Sequence, residues 1–149
     1  MSAASGHEPA SGHQAASGHQ AAFEHRVAVR WRDTDALGHV NHAVFLTYLE
    51  EGRDAFFVHV LHSDPSYVVA RVEIDLRAEV RYPSAPVRVQ IEARTLGTTS
   101  LTTRETLLTD SGALAAEAKV VTVRWDEHAH QPIPFSDAER TRLTALMAG

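Results

Sequence analysis

From Phe23 the chain alternates. Phe23, His25, Val27, Val29 and Trp31 are separated by polar or small residues, the period of two expected of a strand with one buried face. At Asn41 the period changes. Val44, Phe45, Tyr48, Ala55 and Phe56 recur at helical spacings, which predicts a long helix with Asn41 as its N-cap. Gly52 falls inside this helix, where it either weakens it or lets another backbone come close. Beyond "HSDPS" the alternation returns in "YVVARVEIDLRAEV", where Val72, Ile74, Leu76, Ala78 and Val80 oppose Arg71, Glu73, Asp75, Arg77 and Glu79. "PVRVQIEART", "LTTRETLLT" and "ALAAEAKVVTVRW" repeat it, with turns at "LGTTS" and at the hairpin signal "DSG". "SDAE" from Ser136 is a capping box that opens a last short helix carrying Leu143 and Leu146.

The order is therefore strand, long helix, four long strands in an antiparallel meander, short helix: an α+β domain. One helix cannot cover both faces of a five-stranded sheet. A curved sheet can wrap it, with the remaining edge or face buried in an oligomer, so a homodimer or homotetramer is expected. Residues 1–22 stand apart. "SGHEPA SGHQAA SGHQAA" repeats one hexapeptide without a large apolar residue, which predicts a disordered tail before a single domain at residues 23–149. Its His7, His13 and His19 belong to that solvated tail.

Composition narrows the function mainly by exclusion. The chain has no cysteine, which removes disulfides, thiolate metal sites and cysteine nucleophiles together. A formal charge of −5 with no basic tract argues against nucleic-acid binding. No apolar run approaches the roughly 18 residues of a membrane span, and the N-terminus lacks a signal-peptide layout. A cytoplasmic protein is the expectation.

The chemistry concentrates in "DTDALGHVNH", ahead of the long helix: Asp33, Asp35, Gly38, His39, Asn41 and His42. The first turn of a helix has unpaired N–H groups and a positive dipole end, which can hold a carbonyl oxygen as it gains charge. A carboxylate on the loop just upstream can attack that carbonyl or activate water. A turn or capping role for Asp35 competes with this reading. Local hydrogen bonding competes for His39 and His42. Asp35, His39 and His42 contain no i,i+4 histidine pair within the helix, so no metal site is expected.

"DTDALGHVNHAVFLTYLEEGR", with a strand before it and four after, resembles the hotdog-fold acyl-CoA thioesterases of the 4-hydroxybenzoyl-CoA thioesterase family. The resemblance covers residues 23 to about 143. It runs through Asp33, Asp35, Gly38, Val40, Asn41, His42, Phe45, Tyr48 and Arg53, with "GTTS" and "PIPFSDAERTRL" downstream. It implies a long central helix wrapped by a curved, mostly antiparallel five-stranded sheet. It implies a thioester hydrolase acting on an acyl- or aroyl-CoA, with no cofactor, since coenzyme A is part of the substrate. Asp35 becomes the catalytic carboxylate and Asp33 a turn former.

By the same resemblance, the backbone N–H of His42 polarises the carbonyl, with the His42 ring as a secondary candidate. His39 matches the histidine of plant acyl-carrier-protein thioesterases, but Leu37 stands where those carry asparagine. Gly38 and Asn41 shape the substrate site, and Phe45 and Tyr48 line an acyl pocket or are simply the helix's core stripe. Arg94, Thr98, Thr99 and Ser100, with Arg71 or Arg81, are candidates to hold coenzyme A, often across a dimer interface. Glu50 and Glu51 are given solvent-facing or structural roles. An acyl-carrier-protein thioesterase and a non-catalytic acyl-CoA-binding protein are the alternatives.

Overall fold

The computed structural model describes residues 22–149, so nearly all of the expected tail lies outside the described residues. The elements are β1 (Phe23–Val27), α1 (His42–His59), β2 (Tyr67–Leu76), β3 (Val87–Leu96), β4 (Ser100–Leu108), β5 (Leu114–Asp126), β6 (Gln131–Pro132) and α2 (Asp137–Ala148). Asn41 caps α1 by accepting a hydrogen bond from the Ala43 amide. The Ser136–Glu139 capping box opens α2.

All strand pairs are antiparallel, and the first five strands lie in the order β1-β3-β4-β5-β2, with the two-residue β6 pairing with the end of β5. This is the hotdog fold, and it corrects the expected meander. Only β3, β4 and β5 meander; β2 skips across to pair with β5, leaving the far edge to itself. A period of two reports which face a residue lies on but not which strand is its neighbour. Two expected strand ends also shorten. Trp31 is 75% exposed because the chain leaves β1 and enters a 3-10 turn at Trp31–Asp33. Arg77 and Ala78 leave the β2 ladder, both amides donating to the Ala115 carbonyl.

The core lies between α1 and the concave face of the sheet. Phe45, Tyr48, Leu49, Phe56 and Phe57 meet Val87, Val89, Ile91, Leu101, Leu107, Ala118 and Val120, all buried. Gly52 faces β3 so closely that a Cβ there would fall inside the Val89 side chain. The glycine is a close-approach residue, made tight by a side chain rather than by backbone. Beside it Arg53 forks onto Glu105 of β4, Nε to Oε1 at 2.8 Å and Nη2 to Oε2 at 3.0 Å. Thr103 donates to the same carboxylate at 2.8 Å. Burial alone would lower the Arg53 pKa, but Glu105 outweighs it and raises it. Both charges are fully enclosed, so they hold α1 to the sheet at one rotation about the helix axis.

The cover reaches only the start of β2, where Tyr67 stacks on Phe57 of α1 and donates to Asp54. Val72, Ile74 and Leu76 pair with Val120, Ala118 and Ala116, all buried on the concave face, and so share that face. Yet Val69, Val72 and Leu76 are 46%, 37% and 52% exposed.

Candidate functional site

The ten residues before and at the start of α1 fold into a small hairpin. Asn41 N–H donates to the Asp33 carbonyl at 2.9 Å, Thr34 bridges Val40, and Asp35 N–H donates to the His39 carbonyl at 2.8 Å. Gly38 closes the tip at φ +77°, a conformation that suits glycine, donating to the Asp35 carbonyl at 3.1 Å. The outer arm is stitched to residues 79–82: Val40 N–H meets the Val80 carbonyl at 2.7 Å, and His39 bridges Arg81. His39 Nε2 lies 3.0 Å from Glu79 Oε2, so its ring is turned to that edge. The Arg81 guanidinium, with His39, holds the Glu79 carboxyl below its ordinary range.

Asp35 sits at the exposed tip. Its Oδ1 accepts from the Leu37 amide at 2.8 Å and the His39 amide at 3.2 Å, while Oδ2 has no donor among the described residues. The turn-forming role and an outward-facing oxygen therefore coexist in one carboxylate. At the hairpin's other end the helix amides are unequally used. Ala43 N–H is capped by Asn41 Oδ1 at 3.0 Å and Val44 N–H by the Asn41 carbonyl at 2.8 Å. The His42 amide has no partner among the described residues, and the residue is exposed. Asp35 pairs with His39 two residues along the ladder from Asn41, about 7 Å at strand spacing. A carboxylate side chain and an amide at that separation can address the same carbonyl group.

Asp33 does more than form a turn. It is 6% exposed, and its Oδ2 accepts from the Tyr48 hydroxyl at 2.6 Å, the Arg30 amide at 2.9 Å and Arg30 Nε at 3.1 Å. Arg30 Nη2 continues to Glu51 at 3.0 Å. Burial pushes the Asp33 carboxyl up, but these donors outweigh it and hold it below its ordinary range. Burial and then Asp33 raise the Tyr48 hydroxyl. The signal for this arrangement was in the sequence as two pairs three residues apart, Arg30 with Asp33 and Tyr48 with Glu51. Nothing in the alternation, however, pointed one pair at the other.

The family profile described as the thioesterase-like superfamily matches residues 29–143, a span that takes in the hairpin, α1 and all four long strands. The chain belongs to the thioesterase-like superfamily. A thioesterase from Thermus thermophilus, solved with coenzyme A and Zn, is 34% identical, with a TM-score of 0.72 over 85% of this chain and 94% of that one. A protein from Bacillus stearothermophilus described as a predicted thioesterase is 26% identical, TM-score 0.73, over 84% and 96%. The DHNA-CoA thioesterase of Staphylococcus aureus, at 15% identity and TM-score 0.76 over 85% and 91%, shares the fold. No curated protein sequence matches the chain.

In this thioesterase-like chain the other expected site residues are dispersed over the fold. Phe45 and Tyr48, expected to line an acyl pocket, are 4% and 0% exposed; in the single chain they are the core stripe, with the Tyr48 hydroxyl committed to Asp33. Arg94 pairs with Glu92 at 3.0 Å and borders a cavity of about 650 Å³ with Arg104, Lys119 and Glu73. Thr98, Thr99 and Ser100 give their carbonyls to the amides of Phe135, Arg124 and Gly97, so this turn anchors the segment leading to α2. Residues 79–81 lie beside Val87, at the opposite end of β3 from Arg94, about 23 Å away at strand spacing. Within one chain Arg94 and the 98–100 turn are thus not brought to Asp35. Arg71 and Arg81 are exposed and paired with Glu73 and Glu79. Among the described residues no three His, Asp or Glu side chains are grouped to hold a metal ion. None of their helices is long and apolar enough to cross a membrane.

Proposed function

We propose that the chain hydrolyses the thioester of an acyl- or aroyl-CoA to the free acid and coenzyme A, with Asp35 as the reacting carboxylate. The observation that carries this reading is the pairing of a pinned carboxylate with an unpartnered helix amide. Asp35 Oδ1 is held by two amides with Oδ2 outward, and the His42 N–H opens α1 at the other end of the same hairpin. The His42 amide donates to the carbonyl oxygen and gains strength as that oxygen becomes negative, so it stabilises the transition state more than the bound thioester. Asp35 either adds to the carbonyl carbon, expelling the thiolate and leaving an anhydride that water cleaves, or takes a proton from the water that adds. The thiolate is a good leaving group and needs no strong acid behind it.

A dimer through β2 belongs to the same reading. That strand carries an unpaired edge and an apolar concave face, a combination that isolated proteins rarely leave bare. In this reading a second chain at that edge is what supplies the Arg94 and 98–100 turn that the single chain does not bring to Asp35.

The test is a panel of acyl- and aroyl-CoAs with a thiol reagent, wild type beside Asp35→Asn. The wild type is expected to hydrolyse at least one substrate about 10² to 10⁴ times faster than the variant. Equal rates on every substrate would remove the hydrolase reading and leave a binding protein. Single turnover in isotope-labelled water identifies the anhydride route, since water that opens the anhydride at the Asp35 carbonyl leaves its label in that carboxylate, whereas direct attack of water on the thioester leaves none there.

A further inference from the structure

Resting on the hydrolase reading above, we propose that Asp33 is a positioning residue for Asp35. With Arg30, Tyr48 and Glu51 it forms a polar clasp that fixes the reacting hairpin to the helix whose first amide receives the carbonyl oxygen. Asp33 acts twice. Its side chain takes the Tyr48 hydroxyl from the second turn of α1 at 2.6 Å, and its carbonyl takes the Asn41 amide at 2.9 Å. Arg30 locks the carboxylate from the other side and reaches Glu51 one turn further along the helix.

What else holds the hairpin is polar: its outer arm is tied to residues 79–82 through Val40 N–H, His39 and the Gly38 carbonyl. Ala36 and Leu37 at its tip are exposed, Leu37 at 76%, and Val40 is its one buried apolar residue. Packing therefore does not determine how far Asp35 stands from the His42 amide; hydrogen bonds do. Asp33 sits at the base of the lever, where a small rotation is amplified at the tip, and reacting groups misplaced by about 1 Å can lose about 10²-fold in rate. The clasp's second anchor, through Val80 and Glu79, ties the opposite arm. Removing the Asp33 tie leaves the hairpin held by its outer arm, with one fewer constraint on the arm that carries Asp35.

Tyr48→Phe tests this because it keeps the buried ring and deletes only the hydroxyl. Two readouts are taken on the full chain: hydrogen exchange at the Leu37 and His39 amides, which Asp35 Oδ1 protects, and kcat with KM on the best CoA thioester. The expected result is exchange about tenfold faster at both amides and kcat down about tenfold with KM within about twofold. Asp33→Asn, which can still accept from Tyr48, should recover part of what Asp33→Ala loses; if the alanine variant does not fold, Tyr48→Phe still decides. Wild-type exchange in Tyr48→Phe overturns the proposal, as does faster exchange with kcat unchanged while Asp35→Asn is inactive. If wild type hydrolyses nothing, the hydrolase reading fails by itself, and the exchange measurement still decides whether the clasp orders the hairpin.

Discussion

The two halves of the sheet are built from the same residues and meet different fates. On β3, Val87 and Val89 face α1 and are buried to 1% and 0%. On β2, Val69 and Val72 face the same side of the same sheet and remain 46% and 37% exposed. From Val72 onward the alternation on β2 is as regular as on β3, and a bulge between Val69 and Arg71 puts Val69 on the same face. What differs is cover. One helix of 18 residues spans the β1-β3-β4 half and is fixed there by Arg53, touching the last strand only at its first residue, where Tyr67 stacks on Phe57 and donates to Asp54. Burial is therefore a property of what lies opposite a strand, and the exposed valines belong to the face that the proposed dimer would cover.

That contrast can be broken from either side. The largest effect is expected in the covered half. Arg53→Ala leaves the enclosed Glu105 carboxylate without its partner and should cost about 3–5 kcal/mol in a denaturant titration. Gly52→Ala drives a methyl into Val89 and should cost about 1–3 kcal/mol by the same titration. In the bare half, Val72→Lys should change the intrinsic stability of the monomer, measured at concentrations too low for association, by under about 0.5 kcal/mol. The same change should convert a dimer to a monomer in light scattering; a wild type that scatters as a monomer ends the dimer reading. The smallest effect belongs to the clasp at the hairpin's base. Because the folded state holds the Asp33 carboxyl lower than the unfolded chain does, its stabilisation is complete above the unfolded pKa of about 3.9 and is lost as pH falls through the folded one. The melting-temperature gap between wild type and Tyr48→Phe should therefore be largest near neutrality and narrow below about pH 4.

Much of the fold was legible because its signals are local. Asn41 and Ser136 announced both helix starts, and alternation found every long strand. The strand order was not legible: β2 pairs with β5 across a separation that no local period encodes. At the site, the residue types and the spacing of the hairpin were readable, and the free His42 amide lies where the helix start puts it. The division of labour between the aspartates was only half readable. Asp35 and Asp33 are both turn residues by sequence, and what separates them is a tyrosine fifteen positions beyond Asp33 that reaches only one of them. The expected coenzyme residues were chosen by chemistry, and it is the length of β3 that keeps them from Asp35 within one chain.

The position of β2 has a consequence for how the protein is made. The strand is complete at Leu76, but its one neighbour, β5, is not complete until Asp126. At about 5–20 residues per second, a ribosome needs roughly 2–10 s to supply the difference. Throughout that interval a ten-residue ribbon bearing Val68, Val69, Val72, Ile74 and Leu76 hangs from a nascent chain with no strand to join. Its interspersed Arg71, Glu73 and Asp75 are charges of the kind that disfavour edge-to-edge pairing while such a strand waits for its neighbour.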